Sequence, residues 1–227
     1  MKETSRAAVP IWRPGEPVAP LAAVIARGGV LAIPTESSYG LAVDPWNPEG
    51  VARIYRIKER EAGKPLPVVA SDVGQLAGLG IDLEAPILSP ILGVLARLWP
   101  APLTAVLPVA RPLPASAGAP SLAVRVPAHE GLRRLLAALG TPLTATSANP
   151  SGGEPALDPE TAAALLAGED AVVIDGGRLP GGPPSTLVAP RPGSGFAGGG
   201  FEVLRAGAFP AERLAAAGPE GSPPRIR

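Results

Sequence analysis

The sequence predicts an α/β domain, on three observations. Short apolar runs, such as Val30-Leu31-Ala32-Ile33, alternate with longer stretches of helical periodicity. Several runs end abruptly in hydroxyls, an amide or a carboxylate, and in open α/β sheets ligands sit beyond the carboxyl ends of strands. The chain has 227 residues, 46% hydrophobic and 18% charged, which supports a sizeable core and excludes global disorder.

Taken in order, residues 1–17 are Pro-rich and aperiodic and read as an arm folded on the body through Ile11 and Trp12. Residues 18–27 read as a helix with Leu21, Val24 and Ile25 on its apolar face and Gly28-Gly29 ending it. The strand Val30–Ile33 then runs into Pro34-Thr35-Glu36-Ser37-Ser38-Tyr39-Gly40. Asn47 or Asp44 caps a helix opening at Pro48, whose apolar face is Val51, Ile54 and Tyr55. That helix meets a charged run, Lys58-Glu59-Arg60-Glu61, closed by Gly63-Lys64-Pro65. Lys58 and Arg60 are two apart, so they share a target only if the helix unwinds here; otherwise the run is a solvated face neutralised by Glu59 and Glu61.

Leu66–Ala70 reads as a strand, and Asp72 caps a short helix to about Leu79. Leu88–Trp99 reads as a helix ended by Pro100, and Leu103–Val109 as a strand. Ser121–Pro127 alternates, placing Ser121, Ala123 and Arg125 on one face. An arginine inside a short apolar strand is costly alone, so Arg125 either pairs with an internal carboxylate or faces a cleft that receives an anion. His129 reads as a polar contact at the start of helix 129–139. Pro142–Gly152 repeats the opening theme, an apolar strand ending in Thr146, Ser147, Asn149 and Ser151. A helix capped by Asp158, a strand at Ala171–Asp175, a Gly/Pro loop, and strands at 184–189 and 201–205 follow. Residues 190–200 read as a flexible hairpin, 210–217 as a terminal helix and 218–227 as a frayed basic tail.

Composition removes several kinds of chemistry. There is no cysteine and one histidine, so disulfides, thiol catalysis, zinc–thiolate and multi-His metal sites are excluded. A formal net charge of +0 argues against a surface coated for nucleic acid but leaves room for a basic cleft. No run has membrane-spanning length, and the N-terminus shows no signal-peptide core, so the expected location is cytoplasmic, with no membrane partner. In a chain that otherwise uses arginine, the only lysines are Lys2, Lys58 and Lys64. A retained lysine points to a site that wants a compact ammonium.

Together the strand ends carry Thr35–Ser38, Arg125, Thr146–Ser151 and Ser185-Thr186, flanked by Lys58, Arg60, Lys64 and Arg205. Such a lining suits an anion with several phosphates plus a small carboxylate. The chain has neither a Walker A sequence nor a Gly-x-Gly-x-x-Gly after a strand, and no nucleophile beside a base. The residues therefore describe a nucleotide-like anion cleft in which chemistry proceeds by positioning.

The ordered series Pro34–Leu41, Lys58-Glu59-Arg60 with Lys64-Pro65-Leu66, Arg125–His129, Ser147–Gly152, Pro184–Val188 and Leu204–Gly207 resembles the YrdC/TsaC family of threonylcarbamoyl-AMP synthases, over residues 18–210. The resemblance implies a twisted mixed β-sheet with flanking helices around a large positively charged cavity. It also implies that L-threonine, bicarbonate and ATP give threonylcarbamoyl-AMP and pyrophosphate, for modification of a tRNA adenosine beside the anticodon. By that resemblance, Lys58 and Arg60 would be catalytic, neutralising ATP phosphates. Thr35, Arg125, Ser147 and Ser185 would hold threonine, with Arg125 on its carboxylate. Lys64, Ser121, Asn149 and Arg205 would complete the nucleotide site. Mg²⁺ would accompany ATP, with no dedicated protein metal site. The implied partners are downstream tRNA threonylcarbamoyl transferase proteins, with tRNA contacted indirectly or weakly.

Four positions depart from the family pattern: Val69 where some members carry His, Glu61 and Ala206 where Pro is common, and Pro155 where a hydroxyl often stands. Two alternatives are an RNA-binding module of the same fold without adenylate-forming activity, and a carbamoyl-transfer domain using carbamoyl-AMP. The neutral charge and 4% aromatic content argue against the first, and the missing cysteines remove the zinc finger that accompanies the second.

Overall fold

Two mixed β-sheets, built by a chain that passes between them three times, position the site. The computed structural model describes residues 8–61, 63–86, 88–191, 200–217 and 225–226. The first sheet contains β1 (Ile11–Trp12), β2 (Val30–Pro34), β3 (Tyr39–Ala42), β8 (Thr146–Ser147) and β9 (Ala171–Ile174), in the spatial order β1-β9-β2-β3-β8. The second contains β4 (Val68–Val69), β5 (Leu103–Pro108), β6 (Ser121–Arg125), β7 (Leu143–Thr144), β10 (Thr186–Pro190), β11 (Phe201–Arg205) and β12 (Arg225–Ile226), in the order β12-β11-β10-β5-β6-β4-β7. The expectation of a mixed sheet with flanking helices thus holds, as two sheets rather than one.

Burial explains why β2 is apolar throughout. Val30 and Ala32 face the larger core, while Leu31 and Ile33 face a second cluster, as the two-residue period of a strand requires. That second cluster fills the space under α1 (Ala19–Ala26) and α4 (Glu130–Leu139) through Leu21, Val24, Leu132 and Leu136. Helix α1 buries the three residues its periodicity picks out, Leu21, Val24 and Ile25. Helix α2 (Pro48–Ile57) is capped by Asn47, whose side chain accepts from the backbone N–H groups of Glu49 and Gly50. His129 caps α4 by accepting from the N–H of Leu132, which is the polar role its position suggests.

The arm is tied down where Ile11 and Trp12 pair in parallel with Val173 and Ile174. Several expectations need revision. Strand β3 was hidden in the sequence, because Gly40 interrupts its pattern; it pairs antiparallel with β2, turning Thr35–Ser38 into a hairpin loop. The Leu66–Ala70 strand shrinks to Val68–Val69. The stretch before Ser147 is two strands in different sheets, separated only by Ala145. The tail is not frayed throughout, since Arg225 and Ile226 pair with Glu202 and Val203. The expected flexible hairpin at 190–200 lies largely outside the described residues, at 192–199.

Candidate functional site

A cavity of about 730 Å³ opens between the sheets, within the range of small-molecule sites. Its walls come from all three crossings between the sheets. Arg60, Pro65 and Pro67 follow α2, Ala145–Ser147 pass from β7 into β8 with Asn149 just beyond, and Gly182, Pro184 and Ser185 lead into β10. Thr35 and Ser37–Gly40 of the β2–β3 hairpin, and Ala123 and Arg125 of β6, complete it.

Three arginines line this space: Arg60, Arg125 and Arg205. Arg125 ends β6 on the face opposite the core-facing Leu122 and Val124. Its Nη1 donates to Glu36 Oε2 at 3.0 Å, and Glu36 Oε1 accepts from the N–H of Ala128 at 2.6 Å. The two possibilities left by the sequence are therefore both realised, since Arg125 pairs with an internal carboxylate and also faces the cavity. Burial lowers the Arg125 pKa, the Glu36 carboxylate opposes that shift, and the Arg205 charge adds to it. Arg205 donates to the carbonyl of Ser185 at 2.9 Å, and Arg60 to that of Pro65 at 3.2 Å. Arg60 Nε is buried without a hydrogen-bond partner, so the guanidinium retains unused donor capacity.

Lys58 occupies a different position. It sits at the C-cap of α2, where the helix stops and Glu59 takes φ +49°, the unwinding that a shared Lys58/Arg60 target requires. Its side chain is only 3% exposed and does not line the cavity. Its ammonium donates to the carbonyl of Ser147, to that of Asn149 at 2.8 Å, and to Asn149 Oδ1 at 3.1 Å. Burial, reinforced by the Arg60 charge, lowers its pKa to about 8. Asn149 is equally committed: its Nδ2 donates to the carbonyls of Pro150 and Gly153 at 2.8 and 2.7 Å. Lys58 and Asn149 thus hold from behind the loop that presents Ser147.

The structure gathers Thr35, Arg60, Arg125, Ser147, Asn149, Ser185 and Arg205 around one space. It does not bring Lys64 or Ser121 there. Lys64 is exposed and pairs with Glu61 at 3.0 Å, and Ser121 lies at the far end of β6, opposite Pro108. Of the departures, Val69 and Pro155 line the cavity. Thr35 Oγ1 donates to the carbonyl of Ser38 at 2.7 Å, closing the hairpin loop.

Thr104 escaped the sequence reading, and Glu36 and Tyr39 were read only as part of the polar strand end, without the roles they take here. Thr104 is 4% exposed, lines the cavity and shares a 2.7 Å hydroxyl hydrogen bond with Ser185. A lone hydroxyl within an apolar strand was the available signal. Glu36 holds Arg125, and its signal was a carboxylate in an otherwise uncharged hairpin loop. Fully buried Tyr39 donates to the carbonyl of Gly177 at 2.9 Å and accepts from the N–H of Gly176 at 3.0 Å, fixing the third crossing to β3. Gly207 is demanded by close approach, because a Cβ there would lie 2.2 Å from the Pro184 carbonyl oxygen.

Among the described residues, no group of three or more His, Cys, Asp or Glu could hold a metal ion, and no helix is long and apolar enough to cross a membrane. Comparison with known proteins agrees with the geometry. The chain is 38% identical over 180 residues to a threonylcarbamoyl-AMP synthase of Thiobacillus denitrificans, covering 74% of this chain and 88% of that one. It superposes on Pyrococcus abyssi (P. abyssi) Sua5 complexed with L-threonine with a TM-score of 0.79 at 30% identity, spanning 97% of this chain but only 63% of that longer one. Escherichia coli YciO superposes with a TM-score of 0.71 at 24% identity, over 92% and 99% of the two chains, a likeness of fold. The Sua5/YciO/YrdC family model, described as telomere recombination, matches residues 23–207, and so the hairpin, the crossings and the arginine-lined cavity all fall inside the matched span of a chain that belongs to this family.

Proposed function

We propose that this protein is an L-threonylcarbamoyladenylate synthase, a nucleotidyltransferase that makes threonylcarbamoyl-AMP and pyrophosphate from L-threonine, bicarbonate and ATP for tRNA modification. The observation that carries this reading is the convergence of Arg125, hydroxyls and two further arginines on one cavity. Arg60 and Arg205 have no carboxylate partner among the described residues, which suits them to the triphosphate. Arg125 suits the threonine carboxylate, with Thr35, Ser147 and Ser185 around the rest of the amino acid. Lys58 supports this arrangement by holding the Ser147–Asn149 loop and adds positive charge behind it.

ATP would enter with Mg²⁺ as a substrate complex, the ion supplying charge neutralisation on the phosphates; among the described residues no group of three or more His, Cys, Asp or Glu could hold it. The threonine amine attacks the bicarbonate carbon, a C–O bond breaks, and the departing hydroxyl takes an amine proton and leaves as water, giving N-carboxythreonine. That new carboxylate attacks the α-phosphorus, the bond to the β-phosphate oxygen breaks, and pyrophosphate leaves. No side chain becomes covalent. Orientation of the two reactants is worth up to about 7–11 kcal/mol in systems of this kind. The product then passes to tRNA threonylcarbamoyl transferase proteins.

The test is pyrophosphate release from ATP by the purified protein, with mass detection of the adenylate. Release that requires both L-threonine and bicarbonate, with the threonylcarbamoyl-AMP mass, supports the reading. Retained ATP binding without threonine-dependent release overturns it.

A further inference from the structure

The three arginines of the cavity are not equivalent. Arg125 alone has a carboxylate partner among the described residues, and both members of that pair are largely screened from water, with side chains 13% and 19% exposed. Glu36 is held from two directions, by Arg125 and by the N–H of Ala128, so it is fixed in place rather than free to swing aside. Only one nitrogen of Arg125, Nη1, is engaged, which leaves its other donors for a ligand in the cavity. The cavity therefore offers, at Arg125, one guanidinium already neutralised by one carboxylate. Arg60 and Arg205 line the same cavity without such a partner, and the Arg205 charge is near enough to be felt at Arg125.

We propose that Glu36 is a specificity-determining residue that reserves Arg125 for a singly charged carboxylate and keeps phosphate groups off it. The inference rests on the reading of Arg125 as the threonine carboxylate site and extends it to the loop residue behind. The reason is electrostatic. A fixed negative charge repels a phosphate dianion about twice as strongly as a carboxylate monoanion at the same distance. The penalty is modest for a carboxylate, which still gains the remaining N–H donors, and larger for phosphate. Threonine and the triphosphate are thereby sorted to different arginines of one cavity. Removing Glu36 leaves a buried, unpaired guanidinium, which recruits an anion from solution.

The test uses the whole protein without ATP, titrated with L-threonine in the presence and absence of inorganic phosphate. Wild type and the shape-matched Glu36→Gln variant are compared, with Glu36→Ala as the second variant. The expected result is that phosphate barely alters the apparent threonine affinity of wild type but weakens that of both variants by about tenfold, the effect of one charge at this range. Phosphate should also raise the thermal midpoint of the variants more than that of wild type, so a poorly stable variant still reports. Wild type that binds threonine while phosphate competes equally in all three proteins overturns the inference alone. Wild type that binds no threonine overturns the functional reading beneath it.

Discussion

The ammonium of Lys58 and the side-chain oxygen of Asn149 lie 3.1 Å apart, although the two residues are separated by 91 positions in the chain. This contact, with the carbonyl bonds beside it, joins the end of α2 to the loop after β8. The N–H of Ser151 returns the connection by donating to the Lys58 carbonyl at 2.8 Å. The first crossing between the sheets is thus latched to the end of β8 and the loop that follows it.

Lys58→Met should therefore act on the loop before it acts on chemistry. The substitution keeps the apolar stem but strands the carbonyls of Ser147 and Asn149, and unmet buried acceptors each cost about 1–3 kcal/mol. Because the loop can admit water, a total loss of about 2–4 kcal/mol is expected in urea denaturation. Hydrogen exchange at the Ser151 amide should rise together with that loss. A variant as stable as wild type, with unchanged exchange, would remove Lys58 from this role.

The same residue sets a pH dependence. Its folded pKa, about 8, lies below the ordinary 10.5, so between those values the unfolded chain binds more protons than the folded one. The penalty for burying the charge is present in full below the folded value and fades as pH rises toward 10.5. Stability attributable to Lys58 should accordingly rise with pH across that window, and the slope should vanish in Lys58→Met. Denaturation midpoints measured for both proteins at several alkaline pH values check this. A parallel slope in the two proteins would assign the effect elsewhere.

Arg125→Ala and Arg60→Ala should separate kinetically. Loss of a charge-assisted contact to a carboxylate is worth about 2–3 kcal/mol, so Arg125→Ala should raise KM for L-threonine by about 30- to 150-fold. KM for ATP should change little. Arg60→Ala should show the reverse pattern. Equal effects of each variant on both substrates would break this division of labour between the two arginines.

Gly207→Ala tests the wall that carries Ser185. The added Cβ would lie 2.2 Å from the Pro184 carbonyl oxygen and 2.6 Å from the Ser185 carbonyl carbon, and backbone atoms cannot rotate away. A destabilisation of about 1–3 kcal/mol, the usual range for overpacking, is expected, with a raised KM for threonine as Ser185 shifts. Wild-type stability and kinetics would show that the two segments can part without consequence.

Legibility followed the range of the contacts. The Asn47 cap, the His129 cap and the apolar face of α1 were readable because their chemistry is local, within three or four residues. Strand β3 was not readable, since Gly40 breaks its propensity and only pairing with β2 defines it. The motifs around Thr35, Arg60, Arg125, Ser147, Ser185 and Arg205 pointed to residues that do meet at one cavity. The partner of Arg125 was not assignable, because Glu36 lies 89 residues away. Lys58 carried a charge signal suited to phosphate, but its ammonium is spent on acceptors that only the folded topology brings near.

The three passages of the chain between the sheets have a mechanical consequence. Neither sheet alone forms the cavity, so a ligand that touches all three passages is a non-covalent cross-link between the two halves of the molecule. Filling the cavity should suppress sliding of one sheet against the other. The resulting stiffness will extend to strands such as β1 and β12 that never meet the ligand, and a loaded molecule will unfold as a single unit.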